Sequence, residues 1–327
     1  MRTHTVSLFS SIIAAALVLS ACTGPSAPAS SGGAQGSEPL RGTVAISGAF
    51  ALYPMMTVWA DEFSKLHPDV HFDVQGGGAG KGMTDTLAGA VDIGMISRAI
   101  RPEEESQGAF WVAVAEDAVF PIISTNNPVF EDLMASGITQ QTFEGIFITA
   151  GIKTWGQVVG KPEVTDEIHV YSRADACGAG EQWALFAGGK IQGDIQGVGV
   201  NGEPALVDTV AKDPLGIGYA NLNSSFDLAS GKPVDGIGVA PIDANENGQA
   251  DADEYFQTKD LAISAIADGK YPSPPARFEN IATRGKPQGL VLTFITWILT
   301  DGQQYLAEAG YVPLPADKLA ESLSKLK

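Results

Sequence analysis

Short β-rich segments alternate with helical segments along this chain. Residues 42–47 (GTVAIS), 70–74 (VHFDV) and 91–96 (VDIGMI) have the composition of strands. Between the first two, Leu52 and Met56 begin a series of apolar residues spaced three or four apart, which indicates one buried face of a helix. Strands separated by helices pair in parallel, with the helices packed on the sheet. The pattern therefore predicts an α/β fold.

The same alternation continues through the rest of the chain. Residues 112–124, 168–172 and 215–219 have strand character, whereas residues 177–187 and 289–306 have the apolar pattern of helices. A chain of 327 residues is long enough for about two domains, at roughly 150 residues each. We therefore expect two α/β lobes with a cleft between them.

The N-terminus carries the signals of an exported protein. Arg2 precedes an apolar run at residues 12–19, which is shorter than the roughly 20 apolar residues that cross a bilayer and is typical of a signal peptide. The run ends in LSAC, which resembles the lipobox of bacterial lipoproteins and implies cleavage after residues 1–21 and lipidation of Cys22. An ordinary secretory signal with an incidental cysteine is the alternative. Residues 22–40 are rich in Gly, Ser, Pro and Ala and predict a flexible tether.

Charge and cysteine content narrow the possible functions. The net charge is −18 at pH 7. Nucleic-acid binding requires a basic surface, so this acidic composition argues against a nucleic-acid-binding protein. The chain has two cysteines, and if Cys22 carries a lipid, Cys177 has no partner for an intramolecular disulfide. The sequence also lacks a Ser-His-Asp set, a G-x-S-x-G motif and a His-rich metal cluster, so we predict that the protein is not an enzyme.

Three segments resemble the phosphate-binding proteins of ABC transporters, which belong to the type II periplasmic-binding-protein superfamily. They are residues 47–54 (SGAFALYP), residues 75–80 (QGGGAG) with residues 97–98 (SR), and residues 172–178 (SRADACG). Residues 310–314 (GYVPL) resemble the C-terminal segment of that family. The resemblance implies a two-lobed fold with mixed, mostly parallel sheets, helices on both faces and two chain crossings between the lobes.

The resemblance also implies lobe boundaries and a role. Lobe 1 is predicted to hold residues 41–117 and 284–327, and lobe 2 residues 118–283. The expected function is that of a monomeric, extracytoplasmic binding lipoprotein, in the periplasm or on the cell surface. It would bind phosphate or a similar oxyanion between the lobes and deliver it to an ABC permease. A sensor lipoprotein that signals to a partner, and a binding protein for another small anion, are the alternatives.

The three segments each lie where a strand turns into a helix. A helix N-terminus offers free backbone N–H groups and the positive end of the helix dipole, which favour an anion. Arg173 can add a two-pronged donor, and the resemblance implies that Asp175 holds it in place. The predicted ligand-binding residues are Ala49, Phe50, Ala51, Ala79, Gly80, Ser97, Arg98, Arg173, Asp175, Cys177 and Gly178.

Several hydroxyl side chains of the family are replaced in this chain. Phe50 stands where Thr or Ser is common, Ala79 where Ser is usual, and Cys177 and Ala179 replace two further hydroxyls. Ser97 stands where some members carry an acidic residue. Because a hydrogen bond to a charged group contributes about 1.5–3 kcal/mol, losing three would lower affinity by roughly three to six orders of magnitude. Either backbone donors and arginines suffice here, or the ligand is another anion.

Cys177 has two possible interpretations at this stage. Beside Arg173 and at the start of a helix, its thiol could have a lowered pKa. Alternatively, it is a small residue that fills a tight loop.

Residues 243–254 (DANENGQADADE) match a calcium loop. Oxygen donors occupy positions one, three, five, nine and twelve, Gly248 occupies position six, and position seven offers a carbonyl. Hard oxygen ligands at this spacing suit a structural Ca²⁺, with a helix following from Asp253; a polar surface turn is the alternative. No other cofactor is expected. The predicted ligands are Asp243, Asn245, Asn247, Gln249, Asp251 and Glu254.

Overall fold

A computed structural model describes residues 39–327. The predicted signal peptide, the predicted lipidation at Cys22 and nearly all of the predicted tether lie outside the described residues. Within residues 39–327, no helix is both long enough and apolar enough to cross a membrane.

The described chain alternates strands and helices, as the sequence predicts. Its strands are β1 (Gly42–Gly48), β2 (Val70–Gly76), β3 (Ile93–Ile96), β4 (Ala109–Ser124), β5 (His169–Arg173), β6 (Val198–Val200), β7 (Gly216–Asn221), β8 (Ile237–Val239) and β9 (Ala276–Arg284). Its α-helices are α1 (Tyr53–Leu66), α2 (Ala79–Ala88), α3 (Pro102–Ser106), α4 (Phe130–Ser136), α5 (Gln140–Phe147), α6 (Trp155–Val159), α7 (Gly178–Phe186), α8 (Glu203–Lys212), α9 (Leu222–Ser225), α10 (Lys259–Ala267), α11 (Gly289–Ile298) and α12 (Ala316–Leu326).

The strands form one mixed sheet in the order β2-β1-β3-β9-β4-β7-β5-β6, and β8 pairs with β4. The pairs β1–β2, β1–β3, β5–β6 and β5–β7 are parallel. Each pairing that involves β4 or β9 is antiparallel. The α/β class is thus confirmed, and the antiparallel share is larger than predicted because β4 and β9 lie between the two parallel groups and oppose their neighbours.

The two largest clusters of buried apolar side chains lie towards the two ends of this sheet. The first includes Trp59, Met95 and Phe294, and the second includes Phe143 and Trp183. Strand β4 contributes its residues 112–115 to the first cluster and residues 118–120 and 123 to the second, and β9 contributes Ile281 to the first and Ala276 to the second. The chain therefore passes from one cluster to the other along β4 and returns along β9. The lobe boundaries given above stay a prediction.

Two predicted helices have different limits in the structure. The apolar pattern of residues 289–306 is divided, because α11 ends at Ile298 and a 3₁₀-helix occupies Asp301–Tyr305. The helix predicted from Asp253 onward is wrong: α10 begins at Lys259, where the Thr258 side chain accepts a hydrogen bond from the Leu261 N–H at 3.4 Å. The Thr258 hydroxyl caps α10, so this helix begins after the end of the predicted calcium loop at residue 254.

Candidate ligand-binding site

The turn after β1 presents two free backbone donors. The N–H of Ala49 donates to the Met95 carbonyl at 2.9 Å, so it is not free for a ligand. Within the described chain, the N–H groups of Phe50 and Ala51 have no protein acceptor. Helix α1 begins soon afterwards, with Pro54 in its first turn. The two backbone donors predicted at this turn are therefore available to a ligand, and ligand binding by them stays a prediction.

Helices α2 and α7 also present backbone donors at their first residues. Ala79 and Gly80 are the first residues of α2, and Gly178 is the first residue of α7. Their N–H groups find no acceptor among residues 39–327, as expected for the first turn of a helix. The Sγ of Cys177 caps α7 by accepting a hydrogen bond from the Gly180 N–H at 3.3 Å.

The beginnings of α2 and α7 lie close to each other, and glycines permit the approach. A Cβ added to Gly78 would lie closer than 3.0 Å to the carbonyl oxygen of Ala176. A Cβ added to Gly178 would lie equally close to the carbonyl oxygen and the Oγ of Ser97. The segments around Gly78, Ser97 and Gly178 therefore approach each other backbone to backbone.

Arg173 and Asp175 form the predicted pair. The Nε of Arg173 donates to Oδ1 of Asp175 at 2.9 Å, and Nη2 donates to Oδ2. Burial alone would raise the pKa of Asp175, but hydrogen bonds from Arg173 and from the Gly202 N–H lower it overall. The guanidinium carbon lies 5.4 Å from the centroid of the Phe50 ring, a cation–π distance. Phe50 thus covers Arg173 with an apolar face where the family has a hydroxyl.

Arg98 is held by the carboxylates of Glu104 and Glu181. Its Nη1 and Nη2 donate to the two carboxylate oxygens of Glu104 at 3.0 and 2.6 Å, and its Nε lies 3.6 Å from Glu181. The Nη2 of Arg101 donates to both oxygens of Glu181 at 3.2 and 3.4 Å. Glu181 is 80 residues away from Arg101 in the sequence, so no local spacing predicts this contact.

A cavity of about 320 Å³ opens beside these groups. Four predicted ligand-binding residues line it: Ala79, Gly80, Arg98 and Cys177. Arg101, Glu181, Ala176, Ile191, Gln192 and Gly193 complete the lining. Arg173 instead lines a neighbouring hollow of about 380 Å³. Five of the eleven predicted residues thus line two adjoining spaces that share Ala176, Gln192 and Gly193. The other six, which line neither space, are Ala49, Phe50, Ala51, Ser97, Asp175 and Gly178.

Cys177 lies in a buried position at the start of α7. Its residue surface is 8% exposed. Burial raises the pKa of the thiol to about 11, although the Arg173 charge opposes this shift. The low-pKa interpretation is thus contradicted, and Cys177 fits the alternative of a small residue in a tight loop.

A buried charge cluster lies beneath the site, and the sequence analysis missed it. Arg277 lies 3.4 Å from Asp117 and 3.1 Å from Glu279, and its Nε donates to the Ser97 carbonyl at 3.3 Å. Among the described residues, neither carboxylate oxygen of Glu279 accepts a hydrogen bond. Burial raises the pKa of Asp117 to about 6 and that of Glu279 to about 8, despite the Arg277 charge.

Asp243 and Glu254, the first and last residues of the predicted calcium loop, accept hydrogen bonds from backbone N–H groups of the same loop. The two oxygens of Asp243 accept hydrogen bonds from the N–H groups of Asn247 at 3.1 Å and Gly248 at 2.9 Å. The carboxylate of Glu254 accepts from the Ala244 N–H at 2.8 Å. Asp243 and Glu254 are both buried. The first and last predicted ligands thus approach the same turn.

The middle of that loop is held by side-chain amides. The amide nitrogens of Asn245 and Asn247 donate to Oδ2 of Asp251 at 2.8 and 2.9 Å. The N–H of Gln249 donates to the Asn247 side chain at 2.8 Å. Across residues 39–327, no three His, Cys, Asp or Glu side chains form a group that fits a metal ion. Asparagines and a carbonyl would therefore have to supply part of any calcium shell.

Comparison with known proteins decides the family. The PBP superfamily domain matches residues 33–302. This chain belongs to the PBP superfamily. Its sequence is similar to the phosphate-binding protein PstS of Bacillus subtilis, at 25% identity over 91% of this chain and 90% of the relative. The corresponding protein of Pseudomonas aeruginosa is also 25% identical, over 89% of this chain and 88% of that one. The resemblance to phosphate-binding proteins is thereby confirmed.

Solved structures give the same fold. A putative phosphate ABC transporter substrate-binding protein from Clostridium perfringens, solved with bound phosphate, aligns with a TM-score of 0.68 and 22% identity over 84% of this chain and 100% of that one. An ABC-type phosphate transport receptor from Vibrio cholerae aligns with a TM-score of 0.60 and 20% identity over 83% of this chain and 100% of that one. The binding-protein fold predicted from the sequence is confirmed.

Proposed function

We propose that this protein is the extracytoplasmic substrate-binding component of an ABC uptake system and that it binds phosphate or a similar oxyanion. The observation that carries the proposal is the convergence of free N–H groups at the starts of α2 and α7, beside Ser97. These donors come from parts of the chain that pack in two different apolar clusters. An anion bound among them would join the two parts, as transport by closure requires.

The proposed binding groups are mostly backbone donors. The N–H groups of Phe50, Ala51, Ala79, Gly80 and Gly178 replace the hydroxyls that the family uses, and each such bond to an anion contributes about 1.5–3 kcal/mol. The side chains of Ser97, Arg98 and Arg173 complete the proposed set, with Asp175 orienting Arg173. Relatives named as phosphate-binding proteins support phosphate as the ligand.

Thermal unfolding of residues 39–327, stripped of ligand, tests the proposal. Phosphate at 100 times its Kd should stabilise the protein by about 2.7 kcal/mol, which is an easily measured rise in Tm. Sulfate, arsenate, molybdate and small carboxylates form the comparison panel. A rise with another anion and none with phosphate would keep the binding role but change the substrate. No rise with any of these anions would reject the proposal.

The remaining proposals concern the cellular setting. We propose that Cys22 carries a lipid that anchors the protein, as a monomer, to a membrane on its extracytoplasmic side, in the periplasm or on the cell surface, and that its partner is an ABC permease. Signalling to a partner protein is the second candidate role. Mass spectrometry of the mature N-terminal peptide decides the first point, because a free thiol on Cys22 in membrane-derived protein would reject lipidation. Binding without catalysis is the proposed activity, in line with relatives named as binding proteins.

We propose that the loop at residues 243–254 binds one Ca²⁺ as a structural ion. The buried Asp243 and Glu254 and the carboxylate of Asp251 supply charge, and Asn245, Asn247 and Gln249 supply neutral oxygens. Calcium in excess should stabilise chelator-treated protein by RT ln(1 + [L]/Kd), where [L] is the free calcium concentration, and should therefore raise its Tm. The Asp243→Asn variant should lose most of that rise. An equal Tm with calcium and with chelator would remove the proposal.

A further inference from the structure

Glu181 reaches across the cavity to two arginines. It lies in α7, which packs in the second apolar cluster, whereas Arg98 and Arg101 lie between β3 and α3, beside the first. One carboxylate oxygen lies 3.6 Å from the Arg98 Nε, and both oxygens accept hydrogen bonds from the Arg101 Nη2. All three side chains line the cavity of about 320 Å³. A carboxylate of the protein thus occupies a cationic corner of the proposed site.

The two arginines differ in how firmly they are engaged. Arg98 is buried and is bound bidentately by Glu104. The Arg101 side chain is 55% exposed, and in the described part of the chain its guanidinium donates to Glu181 alone. An oxyanion could therefore recruit Arg101 by displacing one carboxylate, whereas Arg98 would stay anchored to Glu104. The free N–H groups of Ala79 and Gly80 line the same cavity.

We infer that Arg101 is a ligand-binding residue and that Glu181 is its resident counter-anion, which the incoming oxyanion displaces. The inference rests on the proposed function and adds two residues to it. Carboxylate and phosphate both match the guanidinium fork, so they compete for the same N–H groups. The ligand with the greater charge has the advantage, because Coulomb attraction scales with charge. Glu181 therefore selects multiply charged oxyanions over monocarboxylates.

Two single substitutions should change affinity in opposite directions. In calorimetric titrations with inorganic phosphate, Glu181→Gln should bind about tenfold tighter, because the amide keeps the size of the side chain and removes the competing charge. Arg101→Gln should bind about tenfold weaker. Glu181→Gln should also narrow the preference for phosphate over acetate. The opposite signs separate this role from a general loss of structure.

Matched controls remove the same charges elsewhere. Arg41 and Glu163 are exposed. Arg41 lies just before β1, and the site lies just after it, so the length of the strand, roughly 23 Å, separates Arg41 from the site. Arg41→Gln and Glu163→Gln should bind phosphate as the wild type does. In a protein that already carries Arg101→Gln, adding Glu181→Gln should raise phosphate affinity by less than about threefold, because the charge pair between the two residues is then absent.

The outcomes separate this inference from the proposed function. If the wild type binds phosphate and both variants match it, the inference is wrong and the proposed function stands. Weaker binding by Glu181→Gln would likewise overturn the inference, since it would make the glutamate a supporting residue. If the wild type binds no phosphate and no other oxyanion of the panel, the proposed function fails and the inference fails with it.

Discussion

The Gly178→Ala variant is expected to lose phosphate binding at millimolar ligand while remaining folded. A Cβ at Gly178 would lie closer than 3.0 Å to the carbonyl oxygen of Ser97, a distance that real Cβ atoms essentially never show. The obstacle is backbone, so the two segments must separate. Two or three hydrogen bonds to the anion would then be lost, at about 1.5–3 kcal/mol each, which lowers affinity by two orders of magnitude or more.

Calorimetry with phosphate and small-angle X-ray scattering together check this expectation. The variant should show no heat of binding and a scattering curve of a more open molecule, whereas its circular dichroism should match the wild type. Gly193→Ala is the matched control, because Gly193 lines the same cavity and a Cβ there would be 3.7 Å from its nearest neighbour, Ile191. Phosphate affinity of the wild-type value in Gly178→Ala would show that this contact is not needed for binding.

The stability of the protein should fall as the pH rises from about 4 to 8, because of Glu279 and Asp117. Burial raises the pKa of Glu279 from 4.5 to about 8 and that of Asp117 from 3.8 to about 6. Between these limits the folded protein binds more protons than the unfolded chain, so unfolding becomes easier as protons are lost. The stabilisation is complete below about pH 4, and by pH 8 up to about 4 kcal/mol of it is lost at Glu279 and up to about 3 kcal/mol at Asp117.

The Glu279→Gln variant should remove most of that pH dependence. The amide resembles the protonated acid in size and carries no charge, so the folded state no longer has a proton to lose at this position. At pH 8 the Tm of the variant should exceed that of the wild type by roughly 4–8 °C, at about 2 °C per kcal/mol for a chain of this size. Glu308→Gln, which changes an exposed glutamate, should follow the wild type. Parallel pH profiles for wild type and Glu279→Gln would contradict the assignment.

Local sequence patterns were sufficient for the parts of the site that are made of neighbours in the chain. The strand-to-helix turns at Phe50, Ala79 and Gly178 follow from apolar spacing and glycine placement, and the Arg173–Asp175 pair lies within one turn. Each of these features is formed by residues that lie close together in the sequence. They could therefore be predicted before the fold was known.

Contacts between distant segments could not be predicted in this way. Glu181 meets Arg101 across 80 residues, and Arg277 reaches the Ser97 carbonyl across 180 residues. No spacing rule links such positions, because the fold rather than the local chain brings them together. The antiparallel pairing of β4 with β9 was missed for the same reason. The predicted lipidation at Cys22 stays a prediction.

Strands β4 and β9 are bonded to each other along the passage between the two apolar clusters, from Ala109 paired with Arg284 to Ala118 paired with Ala276. Sliding or twisting one strand against the other would break the hydrogen bonds between β4 and β9. Bending the two strands together out of the plane of the sheet would keep these hydrogen bonds. The irregular register between Ala113 and Ala115 is a place where such a ribbon bends most readily. If the protein opens and closes as proposed, the two clusters would then rotate about a single axis. Each ligand would therefore meet nearly the same open geometry of the site.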